Sequence, residues 1–167
     1  MALRGGQLNG TAHFKEPIAC TEGERREFER LVRQGFPAAD ALEDRIRDAK
    51  WLAFYYAADG TLGAVAALKA PTEQHRQDLF KKAHAPVSPA EYKLDLGWVF
   101  VLPAYRGNRI AESLCRQLLA RVPTSCVFAT TRTNNSPMIR ILLALGFARA
   151  GKPYPRRNEE MALSRPR

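Results

Sequence analysis

The chain has 167 residues, a length that fits one domain able to bury a core without disulfides or metal ions. Apolar residues make up 46% and charged residues 26%, which excludes extensive disorder, and no run of about eighteen apolar residues is present to form a membrane-spanning helix. The formal charge of +9 attracts phosphates, whether from a nucleic acid or from a phosphorylated cofactor.

The N-terminal segment and the cysteines indicate the domain boundary and the cellular compartment. Residues 1–12 contain three glycines and no apolar periodicity, so we predict a flexible tail there and a single domain over residues 13–167. The three cysteines and three histidines lack the spacing of a disulfide framework or a metal site. Because the N-terminus also lacks the apolar segment of a secretory signal, we expect a cytoplasmic protein with reduced thiols and no metal.

The first half of the chain predicts helices mixed with short strands. Thr21 is a suitable N-cap, and Gly35 is a suitable end for the helix that follows it. Asp59 and Gly60 together are typical of a tight hairpin turn. The predicted elements are a strand over residues 14–20, a helix over 22–35, a helix from about 38, strands over 51–57 and 62–68, and a polar helix from about 72.

The second half has the clearer pattern. Its apolar residues repeat with helical spacing most regularly after Ile110, and Ser136 with Pro137 reads as an N-cap followed by the first helical position. Strands that alternate with helices, plus one early hairpin, predict an α/β chain with a mixed sheet. The predicted elements are strands over residues 92–101 and 125–131, helices over 110–122 and 138–145, and final strands over 147–150 and 159–163.

The turn before the helix at residue 110 is the segment that predicts chemistry. The first N–H groups of a helix have no intrahelical partner, and together with the helix dipole they form an anion site. Gly107 permits close backbone approach, while Arg106, Asn108 and Arg109 add donors, so a pyrophosphate fits this turn. The alternative is a solvated arginine turn in front of a core helix.

Two motifs resemble a known family. Residues 95–107 are similar to the central strand and following turn of the GNAT (GCN5-related N-acetyltransferase) superfamily. Residues 106–111 lie where the superfamily has its R/Q-x-x-G-x-G/A motif. Asn135 and the Leu-Gly-Phe of residues 145–147 resemble the N-x-x-A…L-G-F segment of the same superfamily. The two motifs occur in the family's order and are separated by one strand, and the resemblance covers about residues 94–154.

The resemblance implies a fold and a cosubstrate. GNAT proteins have a central, mostly antiparallel sheet in which two parallel strands splay apart, with helices on both faces, and acetyl-CoA lies in the resulting cleft. The strand backbone would pair with the pantetheine arm, the turn and the helix start would hold the pyrophosphate, and an asparagine would contact the cofactor from the other side. Carried over to this chain, the cofactor-binding residues are Val99, Phe100, Val101, Arg106, Gly107, Asn108, Arg109, Ile110, Ala111 and Asn135.

The chain departs from the family pattern at two positions. Arg109 stands where the family usually has glycine, so its side chain must point away from the cofactor while its N–H group is retained. Leu142 stands where the family frequently has the tyrosine that acts as an acid. If the chain is an enzyme, a different acid or a water must therefore protonate the leaving thiolate.

Asp95 is the predicted general base, because many family members carry an acidic residue on this strand. By strand alternation it shares a face with Gly97 and Val99, although a structural charge at a strand end is an equal alternative. Tyr154 is the second candidate catalytic residue, since it could reach the cleft from a loop. Weaker candidates for the base are Glu91, His75 and His84.

The function predicted from the resemblance is transfer of an acetyl group from acetyl-CoA to a primary amine. The acceptor would be an amine-bearing small molecule or a protein, and the protein would be a monomer or a homodimer that does not engage a membrane. The alternative is a module of the same fold that binds coenzyme A or a nucleic acid without turnover, which the high positive charge and Leu142 favour. A nucleic-acid partner is the less favoured of these options.

Overall fold

A computed structural model describes residues 9–154 and 159–164 of the chain. Residues 1–8 of the predicted tail lie outside the described residues. The helices are α1 Glu22–Gly35, α2 Leu42–Arg47, α3 Glu73–Lys82, α4 Ile110–Ala120 and α5 Ser136–Ala144. The strands are β1 Thr11–Lys15, β2 Trp51–Tyr56, β3 Leu62–Lys69, β4 Leu94–Val101, β5 Val127–Arg132, β6 Ala148–Tyr154 and β7 Glu159–Ser164.

The described strands form one seven-stranded sheet in the order β1-β2-β3-β4-β5-β7-β6. Only β4 and β5 pair in parallel, and the other neighbours pair antiparallel. This is the mixed, mostly antiparallel sheet that the sequence predicts. The order places the two parallel strands near the middle, with an antiparallel block on either side of them.

Helices cover both faces of the sheet, as predicted. Leu114 of α4 and Leu142 of α5 are buried in a core on one face. Phe28 of α1 and Ile46 of α2 are buried on the opposite face, and α3 covers the adjoining part of that face through Phe80. Among the described residues, no helix combines the length and the apolar character needed to cross a membrane.

The N-terminal strand differs from its prediction at both ends. It begins at Thr11, so Thr11 and Ala12 belong to a strand that pairs with β2 and not to the predicted tail. It ends at Lys15, because Pro17 has no N–H group to donate to a strand ladder and begins a 3-10 turn instead. The following N-cap prediction is confirmed, since the side chain of Thr21 accepts a hydrogen bond from the N–H of Glu24.

Two helix starts also differ from prediction. Helix α2 begins at Leu42 and not near residue 38, because the chain first turns after Pro37 and Ala41 has a left-handed backbone with φ of 46°. Helix α5 is capped by Asn135 and not by Ser136, since the side-chain oxygen of Asn135 accepts a hydrogen bond from the N–H of Met138 at 3.3 Å. Ser136 is therefore the first helical residue.

Candidate active site

Strands β4 and β5 are joined only at the start of β4. Leu94 pairs with Val127 and Asp95 pairs with Phe128, and within the described residues no later residue of β4 has a partner on β5. The predicted divergence of these strands towards their C-terminal ends is therefore confirmed. The edge of the second half of β4 that faces β5 is therefore open. Because unpaired backbone groups require partners, a ligand could bind along this edge.

A β-bulge shapes the middle of β4. Ala67 of β3 pairs with Gly97 and Val65 pairs with Phe100, so Trp98 and Val99 together lie opposite one residue of β3. Trp98 takes a left-handed backbone with φ of 49° to do so. The extra residue reverses the side-chain alternation of the strand beyond this point.

The bulge corrects one expectation about Asp95. Before the bulge, Asp95 and Gly97 share the face covered by α1, α2 and α3, as the partners of Asp95 on β3 and β5 show. After the bulge, Val99 packs against the opposite core, under α4. Asp95 therefore shares a face with Gly97 and with Trp98, but not with Val99.

The bulge also decides which backbone groups reach the open edge. The N–H of Leu102 donates to the carbonyl oxygen of Gly63 on the β3 side at 2.9 Å. Because the direction of backbone groups alternates along a strand, those of Phe100 also point to β3, while those of Val99 and Val101 point to the open edge. The Val101 carbonyl oxygen accepts a hydrogen bond there from Nε of Arg106 at 2.9 Å.

The turn after β4 leads directly into α4. Gly107 has φ of 81° and Arg109 has φ of 57°, two left-handed residues that reverse the chain within a few positions. Arg109 is the N-cap of α4 and makes no side-chain capping hydrogen bond to any described residue. The N–H groups of Ile110 and Ala111 at the start of α4 thus lack a side-chain cap, which is the condition for an anion site.

The side chains of the turn make local contacts. The guanidinium of Arg109 reaches Glu112 at 3.0 Å and is directed into solvent, which is the outward direction predicted for it. Nδ2 of Asn108 donates to the carbonyl oxygens of Tyr105 and Arg106, both at 3.1 Å. A Cβ atom added at Gly107 would meet no described atom within 4 Å. The backbone side of the turn is therefore open enough for a phosphate group.

Helices α4 and α5 begin at the same edge of the sheet. Each helix follows the C-terminal end of one of the two diverging strands, β4 for α4 and β5 for α5. Carboxyl ends of adjacent parallel strands lie side by side, so the Gly107 turn and the exposed Asn135 cap flank one cleft. The residues that the sequence assigns to the cofactor thus lie on β4 and at the starts of the helices that follow β4 and β5.

Asp95 is buried and forms an ion pair. Its carboxylate lies 2.7 Å from Nζ of Lys69, its antiparallel neighbour on β3. The stem of Lys69 lies across Gly97, where an added Cβ would come within 2.6 Å of it, and its ammonium lies 5.4 Å from the centre of the Trp98 ring. Lys69 therefore holds the carboxylate of Asp95 in place, and the bulge residue Trp98 lies beside the pair.

The weaker base candidates separate in space. His75 lies in the first turn of α3, which Thr72 caps, and it is exposed. Loss of hydration lowers the pKa of His75, and the negative charge of Asp95 acts in the opposite direction, so the two groups are near each other. His84 follows the far end of α3, and Glu91 lies in the loop before β4, both exposed.

Tyr154 is a core residue. It is buried against Phe128 and Tyr92 on the face that also carries Asp95, and not on the surface. Through Glu159 it lies level with Arg132, the last residue of β5, at the open end of the cleft. Leu142, in place of the family's tyrosine, is 2% exposed and belongs to the core under α5, so it fills space and supplies no proton.

A sequence model of the acetyltransferase (GNAT) family matches residues 19–147. The chain belongs to this family. The GNAT kind of function is acyl transfer from an acyl-CoA to an acceptor, and the open β4 edge and the α4 turn fit such a donor. No curated protein matches the sequence significantly.

Solved structures show the same fold over nearly the whole chain. ElaA of Escherichia coli is 11% identical with a TM-score of 0.68, over 93% of this chain and 99% of that one. An acyl-CoA N-acyltransferase of Pseudomonas aeruginosa is 13% identical with a TM-score of 0.68, over 93% and 97%. NAA60 of Arabidopsis thaliana, crystallised with a bisubstrate analogue, is 14% identical with a TM-score of 0.62, over 92% and 97%.

Sequence reasoning missed three residues around Asp95. Lys69 lies on another strand, Arg45 lies on α2 with its guanidinium carbon 5.3 Å from the Trp98 ring centre, and Trp98 itself is turned by the bulge. The GNAT protein brings them together only through the sheet register and the packing of α2. A Lys-to-Asp pairing across two strands leaves no local sequence signal that could have revealed it.

Proposed function

We propose that this GNAT protein transfers an acetyl group from acetyl-CoA to a primary amine. The observation that carries the proposal is the open edge of β4 next to the α4 turn. The open strand edge can pair with the extended, amide-bearing arm of acetyl-CoA, and the turn beside it can bind the pyrophosphate.

The donor would be held mainly by backbone groups. Val99 offers its N–H and C=O groups and Val101 its N–H group at the open edge, while the Val101 carbonyl oxygen accepts from Arg106. Phe100 pairs with Val65 of β3 and so holds this part of β4 in the sheet. The N–H groups of residues 107–111 would bind the pyrophosphate, with Arg106 alongside. Asn135 would contact the donor from the β5 side. Because a backbone N–H is present whatever the side chain, Arg109 can replace the family's glycine without loss of the site.

The acceptor nitrogen must be neutral before it attacks. It then forms a C–N bond with the acetyl carbonyl carbon, the C–S bond breaks, the amine proton goes to a base, and the thiolate takes up a proton. Asp95 is the proposed base, directly or through a water, and its ion pair with Lys69 fixes the position of its carboxylate. Tyr154 is buried on β6, which β7 separates from β5, so it is proposed to donate a proton to sulfur through a water; a water alone is the alternative donor.

Thermal unfolding with acetyl-CoA tests the donor site. A ligand that binds the native state raises the melting temperature by mass action, so a clear rise is expected at millimolar acetyl-CoA. Free coenzyme A as the matched ligand shows how much of the shift comes from the acetyl group. An unchanged melting temperature with both ligands would overturn the proposed donor.

Release of free thiol tests turnover. The expected result is thiol formation from acetyl-CoA that depends on an added amine from a broad panel. A protein that binds acetyl-CoA but releases no thiol with any amine of the panel would be the non-catalytic module. This is the second candidate function, and the leucine at position 142 in place of the family's tyrosine favours it. The two assays together therefore separate enzyme from binding module.

A further inference from the structure

Two cations flank one buried aromatic ring at the bulge of β4. The ammonium of Lys69 lies 5.4 Å and the guanidinium carbon of Arg45 lies 5.3 Å from the centre of the Trp98 ring. The ring is 3% exposed, whereas Arg45 is exposed and Lys69 keeps 16% of its side chain accessible. We call Arg45 and Lys69 the cation pair.

The charges of the cation pair are only partly balanced. Lys69 is matched by the Asp95 carboxylate at 2.7 Å. Among the described side chains no carboxylate forms a salt bridge with Arg45, and the side-chain hydrogen bond that Arg45 makes there is a long contact of 3.4 Å to the Asp40 carbonyl oxygen. Asp78, the other acidic group near His75, accepts a hydrogen bond from Gln74. Arg45 therefore has hydrogen-bond donors available for an anion.

The cation pair lies where an acceptor would approach. Under the proposed function the donor occupies the open edge of β4, and α4 and α5 cover one face of the sheet there. The other face carries Asp95 and Trp98 and is covered by α1, α2 and α3, but Arg45 of α2 and His75 at the start of α3 are exposed there. The acceptor is therefore taken to approach beside these two residues. Asp95, the proposed base, and the guanidinium of Arg45 thus lie on the side from which the acceptor would approach.

We propose that the acceptor is an amine that carries a carboxylate within a few bonds of the nitrogen, in the manner of an α-amino acid. The amine faces Asp95, and the carboxylate is bound by Arg45 with support from Lys69. An arginine is suited to this role because its planar fork matches a carboxylate. This inference rests on the proposed function and adds the class of acceptor to it.

A turnover comparison tests the inference with matched acceptors. Free L-amino acids with acidic, basic, aromatic and aliphatic side chains are compared with their α-amides in the thiol-release assay. The free acids are expected to have kcat/KM values about tenfold or more above the amides, the usual scale for a hydrogen bond to a charged group. Equal values for acids and amides would overturn the inference and leave the acetyltransferase function intact.

Variants assign the preference to the cation pair. Arg45→Gln should lower the preference for free acids over amides about tenfold by raising KM for the acids. Arg45→Lys should keep most of this preference. Arg47→Gln is the matched control, because Arg47 lies on the same helix but forms an ion pair with Glu43 at 2.7 Å; it should change nothing. A preference that survives Arg45→Gln would show that Arg45 does not bind the carboxylate.

A binding measurement decides the matter even without turnover. The chain has two tryptophans, so Trp51→Phe leaves Trp98 as the only reporter of fluorescence. With coenzyme A present, N-acetyl amino acids should change this fluorescence at concentrations about tenfold below their amides, and Arg45→Gln should remove the difference. Lack of response to either probe overturns the inference, whereas the acetyl-CoA melting shift judges the proposed function separately.

Discussion

The ion pair between Asp95 and Lys69 is the residue-scale feature with the most direct chemical consequence. The carboxylate of Asp95 lies 2.7 Å from the ammonium of Lys69, so the position of the proposed base is fixed by a neighbouring strand. Gly97 leaves room for the end of the lysine side chain, because a Cβ there would come within 2.6 Å of Lys69 Cε and the lysine would have to shift. The pair thus links a glycine, the register of two strands and a proposed base.

Asp95→Asn is expected to bind acetyl-CoA normally and to lose about a hundredfold in turnover, the usual scale for a general base. The loss should shrink as pH rises, since solvent then deprotonates the amine. The measurement is kcat against pH with an identified acceptor, and the acetyl-CoA melting shift is the control for folding. If turnover at neutral pH is unchanged, the base is to be sought first at His75, which lies near Asp95, and then at Glu91 or His84.

Arg109 illustrates a residue whose side chain is unsuited to its backbone. Its φ of 57° costs an L-residue about 1–2 kcal/mol, and its solvent-exposed pair with Glu112 offsets little of that cost. The free energy of unfolding of Arg109→Gly should therefore be about 1 kcal/mol higher than that of Arg109→Ala. Both variants lose the pair with Glu112, and only glycine relieves the backbone strain. Urea denaturation measures both, and equal stabilities would contradict a left-handed residue 109.

At the scale of elements, the turn before α4 does what a phosphate site requires. Two left-handed residues bring the chain from the end of β4 to a helix whose N-cap supplies no side-chain acceptor from the described residues. The helix dipole then favours negative charge at that end. The adjacent start of α5 is different, because Asn135 caps it with its own side chain.

Gly107→Asp is expected to abolish the acetyl-CoA melting shift, because a carboxylate would face the pyrophosphate. Gly60→Asp is a matched control: Gly60 has φ of 86° and, like Gly107, has no described atom within 4 Å of an added Cβ. Both variants carry the same backbone strain, but only the change at Gly107 should affect binding. A normal shift in folded Gly107→Asp would place the phosphate site elsewhere.

At the scale of the whole molecule, the sheet consists of two antiparallel blocks joined by a short parallel contact. Strands β1 to β4 form one block and β5, β7 and β6 form the other, and the described register between the blocks consists of the pairs made by Leu94 and Asp95. The cleft is the consequence of ending that contact early. Bound ligand would thus complete the hydrogen bonding of the sheet.

Hydrogen exchange is expected to show this completion residue by residue. On addition of acetyl-CoA, the N–H groups of Val99 and Val101 should exchange about tenfold or more slowly, because they point to the open edge. The N–H of Phe100 should change little, because it is already paired with β3. Equal protection of all three residues would contradict the alternation set by the bulge.

The sequence by itself determined most of the succession of elements, and it predicted a position for the donor site. Helical spacing, Gly107 and the hairpin at Asp59 and Gly60 are local signals, since they depend on residues within a few positions of each other. The start of β1 at Thr11 could not be predicted in this way. Its pairing with β2 joins residues some forty positions apart, and no local pattern marks it.

Only the tertiary structure decided what surrounds Asp95. One inserted residue at Trp98 reverses the side-chain faces of β4, so alternation counted along the sequence assigns Val99 to the wrong face. Lys69 and Arg45 reach the same ring from another strand and another helix. The proposed donor site consists of consecutive residues and can be predicted from local sequence. The surroundings of Asp95 are assembled by strand register and helix packing, which act between segments far apart in the chain.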